Sequence, residues 1–354
     1  MYGSPVNKYH DHRVGLTPTY EYTRIVSCGC LGRGDNVKRR FRKIVIGIIS
    51  ILLIIDIVAS FFFYNLAIER NVKTFLQGND DLDVSAEAMD VFLDGDWRDW
   101  VQDQEFEEME LTAYDELKLQ GYYLEAKEPT DKTVVFAHGY LGQASDMGLY
   151  AEYYYEELGY NVFTADARGH GQSEGDYIGF GWHDRLDYVD WLDVLIEKLG
   201  EDTEIVMHGL SMGAATVLMA SGEELPSNVK GVIADSPYTS VHDLFSYQMT
   251  RMFHIPSFPV LNSTSVVTKM KAGYSLKEAS SLKQVKKAAV PILYIHGEED
   301  TFVPTALAQE LYENTKSEAD IMTVAGAGHG EAYVIAEKKY REKMNSFLEK
   351  YMHE

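Results

Sequence analysis

The sequence predicts an α/β fold with a mostly parallel, doubly wound sheet, preceded by one transmembrane helix. Three observations carry this prediction. Short apolar runs alternate with helix-length segments through the second half of the chain, a glycine-bracketed turn at Gly209–Gly213 joins a strand to a helix, and a long apolar segment lies near the N-terminus. A chain of 354 residues allows one large domain with accessory segments.

The N-terminal region, residues 1–43, is basic although the chain as a whole is acidic. It holds nine Lys/Arg against three Asp/Glu, whereas the net charge of the chain is −23. We expect it to be a largely disordered cytoplasmic tail. The only two cysteines of the chain, Cys28 and Cys30, fall here. Metal binding, lipidation and a strained disulfide are alternatives, but we favour free cytoplasmic thiols. The acidic remainder argues against nucleic acid as a partner.

Residues 44–67 form the strongly hydrophobic segment of the chain, long enough to cross a bilayer. It is too long for the apolar part of a cleaved signal peptide, so we expect an uncleaved anchor in the lipid bilayer. The Arg/Lys cluster on its N-terminal side predicts a cytoplasmic N-terminus and an extracytoplasmic location for the domain that follows the span. Asp56 lies within this segment and either contacts another membrane helix or polar group or is a protonated or tolerated single polar residue.

The segment 68–104 is predicted to be a helical juxtamembrane connector that packs on the domain. Residues 105–354 are predicted to form the domain itself. The domain opens with alternating apolar and polar residues around Tyr114-Asp115-Glu116, which predicts an antiparallel hairpin. The strands expected after the hairpin are 132–137, 161–165, 203–207, 229–234, 291–295 and 320–325.

Ser211 is the candidate nucleophile. It stands at the centre of Gly209-Leu210-Ser211-Met212-Gly213, between an apolar strand and a helix of small residues. In such a strand-turn-helix element the serine hydroxyl is pushed out of the sheet, and glycines let the strand and the helix pass closely.

Two later loops supply the expected partners of this serine in the chain order acid, then histidine. Asp300 follows the strand at 291–295, and His329 stands between Gly328 and Gly330 after the last strand. The imidazole would take the serine proton, and the carboxylate would orient the imidazole. The backbone amides of Tyr140, after His138-Gly139, and of Met212 are the candidate oxyanion hole.

With these motifs in place, the chain from about residue 105 to 354 resembles the α/β-hydrolase superfamily. More narrowly, it is similar to single-span, membrane-anchored bacterial hydrolases described as esterases or serine aminopeptidase-like proteins. The superfamily resemblance rests on His138-Gly139, Asp166 to Ser173, Gly209 to Gly213, Asp300 with Val303-Pro304, and Gly328-His329. The narrower resemblance rests on Asp235 to Ser240 and Gly273 to Ser275.

The superfamily carries its lid where the strand rhythm of this chain breaks, at about residues 238–287. The apolar side chains of this insert either line an acyl or aromatic pocket or pack on the sheet, and both can hold at once. The resemblance implies that the Asp166–Gly171 loop, with Arg168, is structural rather than phosphate-binding.

The sequence therefore predicts a membrane-anchored extracytoplasmic serine hydrolase of the carboxylesterase or lipase-like class, which acts on a small-molecule or lipid ester. Such an enzyme forms an acyl-enzyme on Ser211 and needs no cofactor. No metal-ligand spacing stands out in the sequence. A peptidase or amidase of the same fold is the first alternative. A non-catalytic envelope protein that uses the fold for binding or as a scaffold is the second.

Overall fold

The computed structural model describes residues 32–71 and 85–352. Cα packing divides the chain into a unit that ends at Leu52 and a unit that starts at Leu53. The predictions for Cys28 and Cys30, for the tail before residue 32 and for residues 72–84 of the connector lie outside the described residues.

The strands form one sheet of eight, in the order β1-β2-β4-β3-β5-β6-β7-β8. The pairs β1·β2 and β2·β4 are antiparallel, and all the other pairs are parallel. The predicted fold class is confirmed, including the opening hairpin. The strands are β1 (Glu107–Thr112), β2 (Lys118–Leu124), β3 (Lys132–Ala137), β4 (Asn161–Ala165), β5 (Glu204–Leu210), β6 (Val229–Asp235), β7 (Ile292–Gly297) and β8 (Ala319–Val324).

Helices cover both faces of this sheet, because neighbouring residues of a buried strand point to opposite sides. Val134 and Phe136 of β3 join a core with the tyrosines of the fourth and the last helix, whereas Val135 joins a core with Trp191 and Leu195 of the fifth. The helices among the described residues are α1 (Gly32–Ala67), α2 (Ala86–Asp94), α3 (Trp97–Asp103), α4 (Gly148–Glu156), α5 (Asp184–Leu199), α6 (Met212–Ala220), α7 (Val241–Phe253), α8 (Val260–Ala272), α9 (Ser281–Val285), α10 (Thr305–Asn314), α11 (Ala332–Ile335) and α12 (Glu337–Tyr351).

The helix α1 is long and apolar enough over Asn36–Ala67 to cross a membrane. It begins at Gly32, earlier than the predicted start of the span at 44, so the basic cluster at the end of the predicted tail is helical. Arg and Lys are good helix formers, and no proline interrupts the stretch.

The C-terminal turns of α1 belong to the unit that starts at Leu53. Ser60 and Tyr64 are buried one turn apart on one face of the helix, and Ile68, the residue after the helix, is buried as well. Beyond the helix, the backbone amide of Ile178 donates to the carbonyl of Ile68 at 2.8 Å. One carboxylate oxygen of Asp56 accepts a hydrogen bond of 2.6 Å from the Ser263 hydroxyl on α8. Of the two interpretations of Asp56, the structure therefore supports contact with a polar group, the Ser263 hydroxyl.

Arg168, in the loop after β4, is fully buried and sits between two carboxylates. Its guanidinium donates to both oxygens of Asp187 on α5, at 2.8 and 2.6 Å, and to Asp115 in the β1–β2 turn at 2.8 Å. A two-pronged pair of this kind fixes the planar guanidinium in one orientation. Arg168 thereby ties the opening hairpin and α5 to the loop after β4.

Replacing Arg168 with methionine is expected to lower the free energy of unfolding by about 3–5 kcal/mol, because Asp187 would stay buried without its cation. Denaturant unfolding of the full chain in detergent measures the loss. Removing both charges in Arg168→Met with Asp187→Leu should recover part of the stability. A single variant as stable as wild type would show that the pair does not hold this loop.

Candidate active site

Ser211 lies at the turn between β5 and α6, in a backbone conformation that ordinary residues avoid. Its φ of 54° and ψ of −110° mark a strained turn. A Cβ at Gly209 would lie 2.3 Å from the carbonyl oxygen of Gly213, and one at Gly213 would lie 1.9 Å from that of Ala137. Only glycine fits at these two positions, because the strand and the helix cross at backbone contact distance. The packing therefore forces the serine to the carboxyl edge of the sheet.

His329 lies in the loop after β8 and faces Ser211. The distance from its Nε2 to the Ser211 Oγ is 2.8 Å, and its Nδ1 lies 2.7 Å from an oxygen of Asp300. A carboxylate can only accept, so Nδ1 carries the hydrogen and Nε2 is left to accept the serine hydroxyl. The ring of Phe302 packs against the imidazole, with the ring centroids 5.0 Å apart.

Asp300, in the loop after β7, is buried and strongly hydrogen-bonded. The backbone amides of Phe302 and Val303 donate to its second oxygen at 2.9 and 2.7 Å. Burial alone would raise the pKa of this carboxyl, but the charge of His329 and hydrogen bonds from two histidines outweigh burial. The pKa of Asp300 therefore lies well below its usual range, and the carboxylate stays charged throughout the neutral range.

The second histidine beside Asp300 is His296, which the sequence did not reveal as a site residue. Its Nε2 lies 2.8 Å from the carbonyl oxygen of Val303 and 3.0 Å from the carboxylate of Asp300, and the ring is fully buried. The carbonyl accepts, so Nε2 carries a hydrogen that Asp300 shares. His296 thus contacts the same carboxylate oxygen of Asp300 that His329 contacts.

A buried carboxylate under the histidine loop is the other feature that sequence reasoning missed. Asp235, at the end of β6, accepts hydrogen bonds from Ser236 at 2.9 Å and from Tyr340 at 3.1 Å. The Ser236 hydroxyl in turn accepts from the amide of Gly330 at 3.3 Å. Burial raises the pKa of Asp235 to about 6, although the Ser236 hydroxyl and the nearby His296 oppose the rise. This network positions the loop that carries the imidazole.

The two predicted oxyanion donors belong to segments that adjoin Ser211. Met212 is the first residue of α6, so its amide is one of those that a helix N-terminus leaves without an intrahelical partner. Tyr140 follows Gly139, where an added Cβ would come 3.7 Å from the Cβ of Ser211. The hydroxyl of Tyr140 donates to the carbonyl of Ala67 at 2.8 Å, which links the loop to the end of α1.

Two spaces meet at Ser211. A narrow apolar cavity of about 760 Å³, counting its open mouth, lies beneath the lid helices α7 and α8. Beyond His329 lies a wider and more polar cleft, which is also bordered by α2 and α3 of the connector. Side chains of the lid pack on the domain and also line the cavity. Both interpretations of the apolar residues in the insert therefore hold.

Comparison with known proteins agrees with this architecture. The family model described as serine aminopeptidase, S33, matches residues 128–270, and the model described as TAP-like protein matches residues 263–351. The uncharacterized protein YqkD of Bacillus subtilis is 28% identical over 250 residues, which cover 70% of this chain and 82% of that protein.

Two further similar proteins have names that describe an activity. Lysophosphatidylserine lipase ABHD12 of Macaca fascicularis is 26% identical over 200 residues, which cover 55% of this chain and 48% of that protein. The structure of the Pyrococcus furiosus esterase Pf2001 matches with a TM-score of 0.56 and 26% identity, over 72% of this chain and 96% of that one. The sheet, the two family models and the esterase structure show that this chain belongs to the α/β-hydrolase superfamily, as a hydrolase of the esterase, lipase and peptidase kind.

Proposed function

We propose that the chain is a serine hydrolase of carboxylic esters, carboxylesterase or lipase-like, that acts through an acyl-enzyme. The observation that carries this proposal is the hydrogen-bonded line from Asp300 through His329 to Ser211, placed at the mouth of an apolar cavity. A serine hydroxyl becomes nucleophilic near neutral pH only when a positioned base removes its proton.

In the proposed reaction, the Ser211 Oγ attacks the acyl carbon while His329 Nε2 accepts the hydroxyl proton. The negative charge that develops on the acyl oxygen meets the amides of Tyr140 and Met212. The imidazolium, stabilised by Asp300, then gives its proton to the leaving alcohol, and the ester bond breaks. Water, activated by the same imidazole, attacks the acyl-enzyme and releases the acid, which frees Ser211 again.

The apolar cavity favours an ester with an apolar acyl group over a peptide. None of the residues that the structure describes along this cavity is charged, so it offers no counter-charge to the free amine that an aminopeptidase must recognise. Peptide or amide cleavage remains the second candidate because one matching family model is described as a serine aminopeptidase.

We further propose that α1 anchors the enzyme in a membrane, with the N-terminus cytoplasmic and the hydrolase domain extracytoplasmic. The length and the apolar composition of α1 support anchoring, and the basic residues at its N-terminal side support this orientation.

A fluorophosphonate reagent tests the enzymatic proposal on the full chain. We expect it to label the wild-type protein, with the adduct mapped by mass spectrometry to the peptide that contains Ser211. We also expect p-nitrophenyl esters to be hydrolysed faster than aminoacyl p-nitroanilides. Faster amide cleavage would favour the peptidase. The absence of both labelling and turnover would favour a non-catalytic binding or scaffold protein.

A further inference from the structure

The wall of the apolar cavity at Ser211 is not made by the hydrolase core and the lid alone. Phe63, Leu66 and Ala67, from the last turns of α1, line it together with Met249 and Phe253 of the lid helix α7. The ring of Phe63 packs edge-on against that of Phe253, with centroids 5.1 Å apart. The helix α1, which we propose as the membrane anchor, therefore also forms part of the cavity at Ser211.

This end of α1 is held in place by polar contacts on several sides. The Tyr140 hydroxyl binds the carbonyl of Ala67, and Lys271 of α8 reaches both the carboxylate of Glu69, at 3.4 Å, and the ring of Tyr64. The guanidinium of Arg70 donates to carbonyls of the 171–175 loop, at 2.7 to 3.3 Å. These contacts fix the position of the cavity wall relative to Ser211.

The lid helix α8 runs alongside α1 in the same direction. Ser263, near its start, bonds Asp56, and Lys271, near its end, meets Tyr64 and Glu69. Asp56 lies near the middle of the membrane span predicted at 44–67, so in the proposed anchoring it lies within the hydrocarbon layer. The start of α8 contacts Asp56 and therefore lies in the same layer.

Exposed apolar side chains of the lid support this placement. Phe258, before α8, is 72% exposed, and Val266 and Met270, one turn apart on α8, are 59% and 68% exposed. On α1 itself, Ile57 and Val58 beside Asp56 are more than half exposed. Apolar surface of this extent is typical of a membrane contact rather than of a face in water.

We propose that α1 forms one wall of an acyl-chain cavity that is filled from the bilayer, so that the substrate is a membrane-resident lipid ester with a single acyl chain. Because the cavity is narrow, the proposal takes a substrate with one acyl chain rather than two. The chain would lie between α1 and the lid with its ester carbonyl at Ser211, and the polar part of the lipid would occupy the cleft beside His329. This inference rests on the proposed esterase function and deepens it.

The first test compares acyl-chain preference in full-length variants in detergent, with p-nitrophenyl acetate and p-nitrophenyl dodecanoate as substrates. Leu66→Trp should fill the cavity and lower kcat/KM for the dodecanoate by about tenfold or more relative to kcat/KM for the acetate, whose short acyl group needs only the mouth of the cavity. Phe62→Ala is the matched control, since Phe62 is exposed on the same turn of α1, and both of its rates should stay at the wild-type level.

Each result of this test has a distinct meaning. Retained hydrolysis of the acetate by Leu66→Trp shows that the variant folds, so a selective loss of dodecanoate activity supports a cavity wall formed by α1. If the ratio of kcat/KM for the two esters is unchanged, or if both values fall equally, the proposal that α1 forms the cavity wall is wrong. The esterase proposal would stand in either case. Failure of wild type to hydrolyse either ester would overturn the proposed function itself and this inference with it.

The second test identifies the source of the substrate. The full-length protein is reconstituted into phosphatidylcholine vesicles that contain a monoacylglycerol, and the amount of bilayer is varied at constant total substrate. A rate that follows the mole fraction of substrate in the bilayer is expected. A rate that follows the total concentration instead would mean that the substrate arrives from water, and would overturn filling from the membrane.

Discussion

Replacing Ser211 with alanine is expected to lower kcat for a p-nitrophenyl ester by about a millionfold, to the level left by the other parts of the site. The variant keeps the imidazole and the carboxylate, but it has no oxygen to attack the acyl carbon. The fold should survive, because alanine adds no atoms at this turn and the strained backbone is equally unfavourable for either residue. Steady-state kinetics and circular dichroism on the full chain measure the two properties.

The matched control for this variant is Ser221→Ala. Ser221 lies at the C-terminal end of the same helix, away from the turn that carries Ser211. Its hydroxyl donates to the carbonyl of Leu218 at 2.7 Å. We expect this control to keep wild-type kcat. Substantial ester hydrolysis by Ser211→Ala at normal folding would remove Ser211 from the proposed role of nucleophile.

The elements that place the three polar groups were predictable from local sequence. Ser211, Asp300 and His329 each follow an apolar strand, and parallel strands bring their carboxyl ends to one edge of a sheet. The glycines around Ser211 and His329 mark tight turns that a short window of sequence reveals. That topology brings the three loops together, and the structure adds the hydrogen bonds between their side chains.

The groups that support this line were hidden because their partners are remote in sequence. His296 lies inside a buried strand and reads as an ordinary core position until the loop that carries Asp300 folds back over it. Asp235 depends on Tyr340, 105 residues further along the chain. No periodicity or spacing encodes such a contact.

The role of α1 was equally hidden. Composition alone marks it as apolar, but Asp56 meets its partner Ser263 across 207 residues of chain. The small and aromatic residues on its docked face, Ser60 and Tyr64, do not stand out among the surrounding isoleucines and phenylalanines. The contribution of α1 to the cavity emerges only from the packing of the lid.

Replacing Asp300 with asparagine is expected to lower kcat by about ten-thousandfold at neutral pH, although the new side chain has nearly the same shape. The amides of Phe302 and Val303 donate to one side-chain oxygen, so the asparagine carbonyl should take that position. Its NH₂ group would then face His329 Nδ1 and would donate to it. The imidazole would have to carry its hydrogen on Nε2, where it can no longer accept the proton of Ser211.

Glu298→Gln is the matched control, since Glu298 is an exposed carboxylate in the same loop, where it accepts a hydrogen bond from the Thr323 hydroxyl. It should keep wild-type activity, and nitrogen NMR of the imidazole should show the altered tautomer only in Asp300→Asn.

The pH dependence of the unfolding free energy tests the role of Asp300 independently. The pKa of Asp300 is depressed in the folded state, so its ionisation stabilises the fold above an ordinary pKa of about 3.9, and this contribution is lost as the pH falls. Wild type should therefore lose more unfolding free energy on acidification than Asp300→Asn. Equal losses, or wild-type activity in Asp300→Asn, would mean that the carboxylate does not act through His329.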